Sequence, residues 1–95
     1  MKVEITKSTR GGKKLQAIFY EGEKKVKTIH FGQAGASDYT IHRDEARRQR
    51  YIDRHRASED WKNPMTAGTL SLFILWSKPT IQAGIAEYKK KFGFT

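Results

Sequence analysis

No cysteine occurs in the 95 residues. That excludes a disulfide framework, a thiolate metal site and a cysteine nucleophile, and it suits a reducing compartment. Long apolar runs are missing too. The longest, Leu72-Phe73-Ile74-Leu75-Trp76, falls far short of the roughly 20 residues that cross a bilayer. Met1-Lys2-Val3-Glu4-Ile5-Thr6-Lys7 lacks the apolar stretch of a signal peptide. A soluble, intracellular protein is expected. Acidic residues are scarce: 10 Asp and Glu stand against 19 Lys and Arg, a formal net charge of +9. The length suits one domain and leaves no room for a second.

What is present argues for a folded core. Aromatic residues make up 12% of the chain, and the charge surplus is spread along it rather than gathered in a low-complexity tail. The expectation is a folded basic domain, not a disordered cationic arm.

The first third reads as β-structure. Val3 and Ile5 alternate with polar neighbours, and Leu15, Ala17 and Phe19 do so over about Lys14 to Glu21. Val26, Thr28 and His30 alternate with Lys27, Ile29 and Phe31. Short connections at Gly11-Gly12 and at Gly22 make these three strands an antiparallel meander. The remainder reads as helix. Thr40 is the expected N-cap of a helix from about Ile41 to Ala57, with Asp44 and Glu45 near its start and Arg54 and Arg56 near its end. Asn63-Pro64 opens a second, mostly apolar helix running to Trp76, for which a strand over Leu70 to Trp76 is the rival. Pro79 precedes a third, with Ile81, Ile85, Tyr88 and Phe92 on one stripe and Gly93 as its stop. The predicted fold is α+β: a three-stranded antiparallel β-meander (1–31) followed by three α-helices (40–92) in a single small domain.

The most informative feature lies in the helix at 41–57. It holds six arginines. At about 100° per residue, Arg43, Arg47, Arg50 and Arg54 fall within roughly 60° of one another, with Ile41 and Ile52 on the opposite side. Each like-charge pair four residues apart costs about 0.2–0.5 kcal/mol. An anionic partner would relieve that repulsion, and guanidinium pairs bidentately with phosphate. A solvated basic face, neutralised in part by Glu59 and Asp60, is the plain alternative. Lys7, Arg10, Lys13 and Lys14 surround Gly11-Gly12 and form a second basic cluster at a hairpin tip. Such a loop can follow a phosphate backbone. Lys89-Lys90-Lys91 complements a helix C-terminus. Neither basic cluster carries a base-reading code, so little sequence preference is expected.

Signs of catalysis are weak. No HExxH, phosphate-loop or GxSxG pattern is present, and no catalytic residue, metal ligand or cofactor is assigned. His30, Asp38 and His42 could converge across the loop after the sheet, and a metal-dependent nuclease would need such a trio.

The segments His30-Phe31-Gly32, Ser37-Asp38-Tyr39-Thr40, Tyr51-Ile52-Asp53-Arg54-His55, Trp61, Pro64-Met65-Thr66-Ala67-Gly68 and Leu75-Trp76 form a recognisable set. The chain resembles, over about residues 14–92, a family of small basic proteins encoded by large DNA viruses of algae and protists, the chlorovirus-like group. The resemblance implies a viral setting, with packaging in the virion, and carries no site residue with it. A non-enzymatic nucleic-acid-binding protein is expected, contacting double-stranded DNA ahead of RNA through Arg43, Arg47, Arg50, Arg54, Lys7, Arg10, Lys13 and Lys14. It would act in the host nucleus or cytoplasm and in the virion, with no membrane partner. The alternatives are a minor virion component that binds acidic viral or host protein, anchored by exposed aromatics such as Tyr20 or Trp61, and the nuclease.

Overall fold

A computed structural model describes residues 1–95. Three strands, β1 (Lys2–Lys7), β2 (Lys13–Glu21) and β3 (Lys24–Gln33), pair antiparallel in the order β1-β2-β3. Alternation sets the register: Val3 opposes Phe19, Ile5 opposes Ala17, and Leu15 opposes Phe31. One sheet face therefore gathers Val3, Ala17, Phe19 and Phe31, all buried. A bulge beside Phe19 and Tyr20 sets Lys27 against Phe19 and Lys25 against Tyr20. It leaves Val26 unpaired and 41% exposed. The C-terminus completes the other edge: Val3 N–H donates to the Thr95 carbonyl at 3.1 Å, and Thr95 N–H donates to that of Met1 at 3.2 Å.

The expected α+β architecture is present, with the helices following the sheet. Their boundaries differ from expectation. The helix expected over 41–57 is two helices, α1 (Tyr39–His42) and α2 (Glu45–Arg56). The break falls between Arg43 and Asp44. Asp38, not Thr40, caps α1 by accepting the Thr40 N–H. Asp44 caps α2 by accepting from the Ala46 and Arg47 N–H groups. The Asp44 carboxylate satisfies two amide groups that a continuous helix would have paired itself. Between the two helices Arg43 takes the left-handed conformation, φ 51°, at a cost of about 1–2 kcal/mol for a residue with a Cβ. Its Nε donates to the Pro79 carbonyl at 3.1 Å, which helps to hold it there. Ile41, expected on an apolar helix edge, sits on α1 and is 64% exposed.

The apolar helix starts later than expected, because Thr66 rather than Asn63 caps it. α3 (Ala67–Leu70) continues directly into a π-helical segment, Ser71–Trp76; the rival strand is absent. Leu70, Ile74 and Leu75 from this stretch pack on the sheet with Tyr88 of α4 (Ile81–Phe92). Tyr88 donates its hydroxyl to the Pro64 carbonyl at 2.6 Å. Gly84 allows the close approach of α4: a Cβ there would lie 2.7 Å from the carbonyl oxygens of Phe73 and Ile74. Gly93, φ 73°, ends α4 as expected, beyond Lys89, Lys90 and Lys91. No helix is long and apolar enough to cross a membrane.

Candidate nucleic-acid interface

α2 contains no buried residue. It is held to the body along one side only. Arg48 donates from Nε to the Trp76 carbonyl at 2.9 Å, pairs with Glu45 at 3.5 Å and lies over the Tyr39 ring. One turn on, Tyr51 stacks on Trp76 with ring centroids 4.1 Å apart and planes 2° from parallel. His55 follows at 4.3 Å from Tyr51. These docking positions, with half-buried Ile52, are spaced three and four apart on one helix face.

Arg47, Arg50 and Arg54 lie beside that face and are exposed. They span about 60° around the axis. The ion pairs of the molecule are Lys2–Glu4, Lys14–Asp38, Arg48–Glu45, His55–Glu59 and Lys78–Glu87, so none of the three arginines has a carboxylate partner. Asp53 lies beside Arg50 on α2 but accepts from Gln49 at 3.0 Å and makes no ion pair. Arg43 departs from the expected stripe, since it sits outside α2 and turns to Pro79. The ridge thus has three arginines where four were expected, and Arg43 is an exposed neighbour of it.

The hairpin cluster divides in a similar way. Lys7, Arg10 and Lys13 are exposed at the β1–β2 turn. Lys14 is not available: its Nζ lies 2.5 Å from Asp38 Oδ2, and the two side chains are 19% and 3% exposed. Desolvation of that carboxylate makes the lysine its structural counter-ion.

The two basic groups meet at a cleft of about 400 Å³. Lys13 and Lys14 line it from the sheet, and Arg54, Tyr51 and His55 from α2. Trp76 closes it from the π-helical segment, together with Ser71. The i→i+5 closure of that segment turns both residues to one side, whereas an α-helix would set them about 140° apart. Burial pushes the Tyr51 phenol up to about 12, Glu59 adding to the shift and Arg54 opposing it.

The nuclease trio does not assemble. His30 Nδ1 lies 2.7 Å from Ser8 Oγ. Asp38 is committed to Lys14 and Thr40. His42 Nδ1 accepts the Asp44 N–H at 2.9 Å. No three His, Asp or Glu side chains come together as a metal site. Tyr20 and Trp61, named as exposed anchors, are both half-buried. The aromatic cleft was missed in the sequence; its signal was the spacing of Arg48, Tyr51, Ile52 and His55, which marks the docked face of α2.

Residues 3–55 match a family of unknown function, DUF5754. An uncharacterized protein of Acanthamoeba polyphaga mimivirus is 31% identical over 80 residues, covering 78% of this chain and 80% of that protein. The kinship with a viral protein agrees with the viral setting implied by the sequence resemblance. No solved structure matches the chain significantly.

Proposed function

We propose that this protein, which belongs to the DUF5754 family, is a non-enzymatic nucleic-acid-binding protein that holds double-stranded DNA by its phosphates with little sequence preference. One observation carries the reading: Arg47, Arg50 and Arg54 form an exposed ridge with no intramolecular carboxylate. Acids are not lacking nearby; Asp44, Glu45 and Asp53 share the same helix but are spent on its cap, on Arg48 and on Gln49. A ridge of guanidinium groups left without counter-ions favours a partner with regularly spaced negative charge, and phosphate fits the guanidinium fork.

Arg43, Lys7, Arg10 and Lys13 complete the contact set, and Lys14 drops out of it. Phosphate contacts position a protein without reading sequence. The proposal extends to setting: a protein of a large DNA virus of algae or protists, the chlorovirus-like group being the narrower assignment, acting inside the host cell and carried in the virion. Titration of labelled duplex DNA at low salt tests the binding reading. Saturable binding by unrelated duplex sequences with similar affinity is expected; no binding at low salt contradicts it.

A further inference from the structure

We infer that the cleft between α2 and the sheet takes one unpaired nucleotide, its phosphate held by Lys13 and Arg54 and its base against the rings of Tyr51 and Trp76. The inference rests on the nucleic-acid reading above and names what the cleft adds to the ridge.

Charge in the cleft sorts itself. Six ionisable side chains of interest line it: Lys13, Lys14, Arg54 and His55 against Asp38 and Glu59. Asp38 takes Lys14 at 2.5 Å, and Glu59 lies 3.6 Å from His55 Nδ1. Lys13 and Arg54 remain, both exposed and both without a carboxylate. They come from separate elements, so the fold has brought together two surplus cations that the chain keeps 41 positions apart (54 − 13). Two such cations suit a phosphate.

The remaining lining suits a base. Tyr51 is sandwiched between Trp76 and His55, and this pile of rings lines the cleft with its edges. A volume of about 400 Å³ lies at the small end of the roughly 300–1,000 Å³ of ligand clefts. It cannot admit a duplex. Bases in a duplex have their faces covered by their neighbours, so only an unpaired base can turn its face to these ring edges, an edge-to-face contact. Arg54 belongs both to the cleft and to the ridge. A strand held by Arg47 and Arg50 can thus pass its unpaired end to the cleft at Arg54. The ligand chemistry is a nucleotide, and it could come from a strand end or from a free nucleotide.

The test uses the full chain with Trp61→Phe, which leaves Trp76 as the only tryptophan. Three probes are titrated: a blunt duplex, the same duplex with a short unpaired tail, and a deoxynucleoside monophosphate. The tailed duplex is expected to bind about 5-fold tighter and to quench Trp76, while the blunt duplex binds without quenching. Ala36→Phe, which fills the cleft from an exposed loop position, should erase the tail preference and the quenching while blunt-duplex affinity and melting temperature stay unchanged. If that variant fails to fold, Ala67→Phe on the helical side replaces it. Equal binding of both duplexes with no quenching overturns the inference and leaves the ridge reading intact. Quenching by the monophosphate at the same concentration as by the tailed duplex overturns the strand-end source in favour of a free nucleotide. Failure of every probe to bind removes the ridge reading as well.

Discussion

Lys14 Nζ lies 2.5 Å from Asp38 Oδ2, at a carboxylate only 3% exposed that also caps α1. A lysine in a basic loop, which the sequence groups with Lys13 as a phosphate contact, is therefore part of the framework. Lys14→Ala would leave Asp38 without its counter-ion. A loss of about 3 kcal/mol in stability is expected, read as a lower urea midpoint. The salt dependence of DNA binding should not change at a temperature where the variant is folded. A stable Lys14→Ala protein with a shallower salt slope would return Lys14 to the contact set.

Arg47 and Arg50 carry the opposite expectation. Arg47→Glu combined with Arg50→Glu should abolish duplex binding in a mobility-shift assay, because two phosphate contacts become repulsive. Both side chains are exposed and make no intramolecular ion pair. Stability should stay within about 0.5 kcal/mol per substitution. Unfolding of the double variant would mean that these arginines serve the fold instead.

Gly84→Ala tests the packing that positions the π-helical segment. A Cβ there meets backbone, not flexible side chains, at 2.7–2.8 Å from Phe73 and Ile74. Overpacking of this kind costs about 1–3 kcal/mol, and thermal melting would register it. Because the segment delivers Trp76 to the cleft, its near-ultraviolet circular dichroism should change as well. An unchanged melting curve would contradict the close crossing.

Three tyrosines govern the alkaline limb of stability. Burial raises Tyr88 and pushes Tyr51 up to about 12; the hydrogen bond to Glu45 raises Tyr39. The unfolded phenol titrates near 10, so the folded state holds these protons more tightly. Their stabilisation is complete below about pH 10 and is lost as pH rises from there through about 12. Melting temperature should fall over that window, and Tyr51→Phe should make the fall shallower. A Tyr51→Phe curve parallel to that of the parent would remove Tyr51 from this account.

The sheet was legible because alternation at Val3 and Ile5, and at Leu15, Ala17 and Phe19, maps directly to one face. The last helix was legible from Ile81, Ile85, Tyr88 and Phe92 on one stripe, with Gly93 behind. The break in the middle helix was not. Thr40 and Asp38 are both good caps, and only the left-handed turn at Arg43 decides between one helix and two. The π-helical segment has no signature in Ser71–Trp76 that separates it from an ordinary helix or a strand. The cleft escaped for a further reason: Lys13, Arg54 and Trp76 are far apart in the chain, and only packing unites them. The ridge itself survives with three of its four arginines because Arg47, Arg50 and Arg54 lie within one uninterrupted helix.

The slope of log affinity against log salt for a duplex tests the central claim most directly. Each phosphate neutralised on B-form DNA contributes about −0.9 to that slope. Contact through Arg43, Arg47, Arg50, Arg54, Lys7, Arg10 and Lys13 predicts a slope of about −6, shallower by about 1 for each of these residues changed to alanine. Affinity that stays flat across the salt series would contradict a phosphate-binding ridge.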